Sequence, residues 1–100
     1  MGIEASPGVR LRSAVCSCEI VVVKAPEDSV DLRCGGHPFV SLESEVETSQ
    51  NIQADFDGGS LRGKRYSDEA IGIEVLCTTS GKGSISVGIT VLTIPPHRFP

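Results

Sequence analysis

The apolar residues of this chain fall in short, largely β-branched runs, each closed within a few residues by glycine or proline. Ile20-Val21-Val22-Val23 runs into Ala25-Pro26, and Val30, Leu32 and Cys34 run into Gly35-Gly36. Ile71, Ile73, Val75 and Leu76 precede Gly81-Lys82-Gly83, while Ile89, Val91, Leu92 and Ile94 precede Pro95-Pro96. β-Branched side chains suit a pleated surface, glycine favours turns, and proline removes a donor from a strand ladder. No stretch pairs a helical period with capping residues, so little α-helix is expected. The expected fold class is all-β, made of small antiparallel hairpin units.

Strands are expected over 14–24, 30–34 and 39–42, and again over 70–77, 84–87 and 89–94. Residues 14–24 and 30–34 read as one hairpin, and 70–77 with 84–87 as a second. The expected core is Val21, Val23, Leu32, Phe39, Val75, Ile85, Val87 and Val91. Residues 1–12, with Pro7-Gly8, read as a flexible leader. Residues 43–60 hold Glu43, Glu45, Glu47, Asp55 and Asp57 and read as an acidic linker, in which Ser44 to Thr48 alternate weakly enough for an edge strand at most. The chain of 100 residues is long enough for one domain, 13–100, divided into units 13–42 and 61–94 with a tail at 95–100.

Nine Lys and Arg against 13 Asp and Glu give a net charge of −4, the wrong sign for a partner such as nucleic acid or an anionic membrane surface. The run from Ile20 to Val23 is far shorter than the roughly 20 residues that span a bilayer. Glu4 stands where a signal peptide would begin its apolar core. A cytoplasmic location is expected. In that reducing compartment Cys16, Cys18, Cys34 and Cys77 read as free thiols or metal ligands rather than disulfides.

The two halves overlay. Val30-Asp31-Leu32-Arg33-Cys34-Gly35 matches Gly83-Ser84-Ile85-Ser86-Val87-Gly88 in apolar alternation and closing glycine, and Ile20-Val21-Val22-Val23 falls on Ile73-Glu74-Val75-Leu76. A true duplication and a chance match between two Gly-rich hairpins both fit this pattern. A cysteine before a Val-rich strand, followed by Leu32-Arg33-Cys34-Gly35-Gly36-His37-Pro38-Phe39-Val40, resembles desulforedoxin and the N-terminal domain of desulfoferrodoxin. The second half, from Gly63-Lys64-Arg65-Tyr66 to Gly88, has a similar layout. The resemblance implies tandem rubredoxin-knuckle-like units forming a pseudo-dimer. It also implies an iron held by four cysteines, but Ser13-Ala14-Val15-Cys16 and Arg33-Cys34 keep two of those four positions, and Asp68-Glu69-Ala70-Ile71 and Ser86-Val87 keep none. A tetrahedral thiolate iron site needs its full donor set, so the likeness implies the fold without its redox centre.

Three chemistries remain. Cys16, Cys18, Cys34 and His37 are competent ligands for zinc or iron, although Cys-x-Cys departs from the usual knuckle spacing; the plainer alternative is small buried residues, with Cys77 as apolar filler or, as the lesser alternative, a fourth ligand. His37 has the titration range for acid–base work, but no Ser or Cys pairing marks a nucleophile, and a loop histidine is commonly a solvated turn residue. Gly81-Lys82-Gly83-Ser84 faintly resembles a phosphate loop and is better explained as a tight turn. Arg62, Lys64 and Arg65 offer a basic patch, either for a partner or for the acidic linker. Val91 and Ile94 make the terminal strand unusually apolar for an outer one, so it is expected either to be buried or to dock on a partner.

With no catalytic constellation evident, the expected function is a non-catalytic accessory or interaction subunit of a larger cytoplasmic protein, without a cofactor, whose partner is another protein or a second copy. The alternative is a small metal-binding protein of structural or redox purpose.

Overall fold

A computed structural model describes residues 6–27, 29–43 and 51–94. The first five residues of the leader, the Ser44-to-Thr48 alternation and the Pro95-Pro96 stop lie outside the described residues. Nine strands are formed among the described residues: β1 (Arg10–Arg12), β2 (Glu19–Lys24), β3 (Leu32–Cys34), β4 (His37–Pro38), β5 (Val40–Ser41), β6 (Arg65–Asp68), β7 (Ile73–Thr79), β8 (Ile85–Val87) and β9 (Thr90–Val91). The helical element among the described residues is a single 3-10 turn, Ala54–Phe56. The protein is all-β, as the run pattern predicts.

The strands make two antiparallel sheets, one ordered β5-β1-β2-β7-β6 and the other β4-β3-β8-β9. One core lies between them: Leu11, Ile20, Val22, Tyr66, Ile73 and Val75 from the first sheet pack with Val30, Leu32, Phe39, Ile85 and Leu92 on the other side. Strand β2 carries apolar residues on both faces, which suits a central position with neighbours on both edges, and it lies between β1 and β7. The expected hairpins are therefore replaced. β2 and β3 belong to different sheets, as do β7 and β8; the first half pairs with the second through β2–β7 and β3–β8. Segment 25–31, with Pro26 near its start, is too long for a tight turn and carries the chain from one sheet to the other.

The cross-pairing follows a two-fold pattern. In β3–β8, Leu32 faces Val87, Arg33 faces Ser86 and Cys34 faces Ile85, a register unchanged when Leu32, Arg33 and Cys34 are exchanged for Ile85, Ser86 and Val87. The Phe39 amide donates to the Leu32 carbonyl at 3.0 Å, and the Leu92 amide to the Ile85 carbonyl at 2.9 Å. Likewise Gly35 N donates to Ser84 O, and Gly88 N to Asp31 O. In the other sheet Val22 faces Val75. Between β3 and β4 the turn residues Gly35 and Gly36 have φ of 64° and 85°, a pair of left-handed conformations that glycine adopts without steric cost.

Several expectations shift. Strand β1 lies within the expected leader, and Leu11, 2 % exposed, is core. On β2 the buried face is Ile20 and Val22, continuing from Cys18, while Val21 and Val23 are half-buried on the other face. An unbroken valine run carries no alternation that could mark its inner face. Leu32, Phe39, Val75 and Ile85 are buried as expected, Val87 is partly buried against them, and Val91 is exposed. The described part of the linker is tied to the second sheet: Gln53 N donates to Gly35 O, and Ser84 N to Phe56 O. The basic stretch runs into β6, where Tyr66 is buried and its hydroxyl accepts a hydrogen bond from the Leu61 amide at 2.9 Å.

Two outcomes follow from this packing. Phe39→Ala removes a side chain buried between the sheets and should cost about 3–5 kcal/mol in urea denaturation. The halves 1–42 and 61–100, expressed separately, should each lack a cooperative thermal transition, because their central strands lose β2–β7 and β3–β8 together; a native-like transition in either half would refute mutual dependence.

Candidate thiol site

All four cysteines are free thiols, and they meet at one end of the core. Cys16 and Cys18 come from the bend that joins β1 to β2, Cys34 ends β3, and Cys77 lies on the inner face of β7. Ser13, itself buried, shapes the bend. Its amide donates to the Cys18 carbonyl at 2.8 Å, and its hydroxyl accepts from the Val15 and Cys16 amides at 3.0 and 3.1 Å. This is a side-chain-stabilised turn of the kind Ser favours. It brings Cys16 Sγ to 3.3 Å from Ser13 Oγ and 3.7 Å from Cys34 Sγ.

Glycines open the space the sulfurs occupy. A Cβ at Gly81 would fall 2.7 Å from Cys16 Sγ and 2.6 Å from the Cys18 amide nitrogen, and one at Gly83 would fall 2.8 Å from Cys34 Sγ. The Gly81-Lys82-Gly83 stretch is thus neither a phosphate loop nor a hairpin turn between paired strands. It is the wall of the thiol cluster, pinned by the reciprocal Ser60 N to Gly81 O and Gly81 N to Ser60 O bonds. Ser60 Oγ is buried beside Cys18 and Cys77 and lacks a well-formed hydrogen bond among the described residues.

The environments divide the thiols by charge. Donation from the Cys34 thiol, assisted by Ser60, overcomes burial and pulls Cys18 down to about 7. Cys34 moves up for the complementary reason, since its proton is held on Cys18 and burial opposes its charge. Burial first, then the Cys18 charge, pushes Cys77 up to about 11; its thiol donates to the Thr79 carbonyl at 3.2 Å. For Cys16, burial opposes ionisation, but the Ser13 hydroxyl, the Cys18 and Gly83 amides and the Cys34 thiol outweigh it and lower its pKa. One partly exposed and one buried cysteine are thus shifted toward the thiolate, beside two shifted away from it.

Of the expected ligand set, Cys16, Cys18 and Cys34 gather and His37 does not join them. His37 lies on β4, and its Nε2 donates to the Asn51 carbonyl at 2.8 Å. Among the described residues no group of three or more His, Cys, Asp and Glu side chains is arranged to hold a metal ion. Cys77, expected as apolar filler, belongs to the cluster. Sequence signals for the supporting residues were the Ser-x-x-Cys spacing at Ser13 and the Gly-x-Gly at Gly81; nothing local connected either to Cys34 or Cys77.

The other candidates lie elsewhere. Arg62, Lys64 and Arg65 are exposed at or beside β6, an outer strand, and Arg65 Nη1 lies 3.4 Å from Glu74 Oε2. Val91 and Ile94 are 42 % and 47 % exposed, and Ile89 is 89 % exposed. No helix among the described residues is long and apolar enough to cross a membrane. No family model matches the chain, and neither the curated proteins nor the solved structures include a significant match.

The thiol shifts have opposite effects on stability. Cys18 is lowered in the folded state, so its contribution is present above the ordinary thiol range and is lost as pH falls through about 7. Cys77 is raised, so its contribution is present below the ordinary thiol range and is lost as pH climbs toward about 11. Titrating thiolate absorbance in the ultraviolet should reveal an early step around 7 that Cys18→Ser abolishes; a single step in the ordinary thiol range would contradict the charge division.

Proposed function

We propose that this protein is a non-catalytic accessory domain of a larger cytoplasmic protein or complex, and that it binds by presenting the outer strand of its second sheet. The observation that carries the reading is the clustering of Ile89, Val91 and Ile94, three of the four large apolar side chains exposed among the described residues, on and beside β9. Among the described residues β9 has β8 on one side and no strand on the other, so an incoming strand can add to its ladder while covering the apolar side chains. The isolated Ser67–Thr93 bridge leaves residues 89–91 as the open part of that edge. A partner protein or a second copy of the chain supplies the strand.

The same reading treats the halves as tandem desulforedoxin-like units whose lost metal has been replaced by packing. The matching registers of β3–β4 and β8–β9 support it, as does the occupancy of equivalent positions by Phe39 and Leu92. Zinc or iron on Cys16, Cys18, Cys34 and His37 has less support, because His37 is engaged by Asn51. Four free thiols suit a reducing compartment.

Val91→Lys with Ile94→Lys tests the docking edge, since both side chains are exposed and their replacement leaves the core intact. The variant should keep the wild-type thermal transition yet associate roughly tenfold or more weakly, whether read as self-association by sedimentation or as partner retention from a native extract. Loss of folding, or unchanged association in both assays, would overturn the proposal.

A further inference from the structure

We propose that Cys16 and Cys34 are a reversible dithiol–disulfide pair that exchanges with low-molecular-weight disulfides, Cys16 attacking and Cys34 resolving. This site goes beyond the docking reading and does not depend on it. The two sulfurs lie 3.7 Å apart, already in contact, and a disulfide requires about 2.05 Å between them. Cys16 sits in the bend 13–18, outside any strand, so its sulfur can close on Cys34 without breaking a ladder hydrogen bond. Cys34 is fixed at the end of β3 by the Ile85 and His37 pairings.

Access separates the roles. Cys16 is half-buried, whereas Cys18, Cys34 and Cys77 are fully enclosed, so a soluble disulfide reaches Cys16 first. The Ser13 hydroxyl and the Cys18 and Gly83 amides favour its thiolate, the nucleophilic form. In the first step the Cys16 thiolate attacks one sulfur of RS–SR; the S–S bond breaks, one RS⁻ departs, and Cys16 carries a mixed disulfide. In the second step Cys34 attacks Cys16 Sγ, passing its proton to the neighbouring Cys18 thiolate, and the second RS⁻ departs. Two protein thiols are oxidised to one disulfide and one RS–SR is reduced; the Cys34 proton stays on Cys18, and the two RS⁻ groups take up from solvent the protons that Cys16 and Cys18 released on ionising. Cys18 serves as a positioning residue and proton acceptor for Cys34. Cys77 stays outside the exchange, its thiol held on the Thr79 carbonyl.

The test treats the reduced full-length chain with oxidised glutathione under native conditions, blocks remaining thiols with N-ethylmaleimide, and maps the unreduced digest by mass spectrometry. The expected wild-type product has lost two thiols and links Cys16 to Cys34, with the bond assigned by fragment ions because trypsin leaves Cys16 and Cys18 on one peptide. Cys34→Ser should instead accumulate a glutathione adduct on Cys16, and Cys16→Ser should give neither adduct nor bridge. Cys18→Ser should form the Cys16–Cys34 bond more slowly at neutral pH. A wild-type bridge to Cys18 or Cys77, a bridge that persists in Cys16→Ser, or four unreacted thiols in the native chain while the urea-unfolded chain reacts would each overturn the proposal. Circular dichroism of every variant confirms the fold being tested, and the fragment-ion assignment on wild-type protein decides the pairing without any substitution.

Discussion

The antiparallel contact between the two halves, β2 with β7 and β3 with β8, is the interaction on which the rest of this structure depends. A two-stranded hairpin alone buries too little to persist in water, and short strands such as β3 and β8 have only a few ladder bonds each. Pairing across the middle of the chain gives each of them a second neighbour. It also brings the apolar faces of both sheets over one shared core, in which Phe39 and Leu92 occupy matching positions after their Gly-containing turns. The cost is non-local: strands far apart in sequence must find one another before either gains stability.

The thiol cluster is a consequence of that pairing. Cys34 and Cys77 sit on strands of different sheets, and Cys16 and Cys18 on the bend leading into β2. Neutral cysteine packs as a small hydrophobe, so the core accepts four of them at little cost. What distinguishes this cluster is its polar shell. Ser13 and the amides of Cys18 and Gly83 around Cys16, and the Cys34 thiol beside Cys18, favour ionised sulfur where a purely apolar wall would suppress charge. The close glycines at positions 81 and 83 leave room for the sulfurs on the far wall, so one short segment serves both as chain crossover and as lining.

The outer strands are treated unequally. At the first sheet, β6 carries Arg65 paired with Glu74, a charged edge that discourages unintended strand addition. The second sheet ends at β9 with exposed Val91 and, just before it, Ile89. Natural proteins blunt such edges with charge, proline or covering segments, and among the described residues β9 keeps an apolar edge of the kind that strand addition uses.

How much of this was legible in the residues follows from the range of each signal. The β-branched runs and the Gly and Pro stops establish an all-β chain, and the two overlaid segments, 30–35 and 83–88, carry β3 and β8, which pair with each other. Those signals are local, arising from backbone preference and alternation within a few residues. Strand partners are not local. The valine run of β2 conceals which of its faces points inward, and nothing within it distinguishes β3 from β7 as a neighbour. The cysteines show the same division: their chemistry and the awkward Cys-x-Cys spacing were readable, but not the separation of His37 from Cys16, Cys18 and Cys34 or the meeting of Cys77 with Cys18; Val91, expected in the core, likewise proves exposed. By itself the sequence determined secondary-structure type, charge and the available side-chain chemistry. Only tertiary structure decided which sulfurs meet and which apolar residues remain in water, because both depend on pairing between segments whose relative placement no short-range preference encodes.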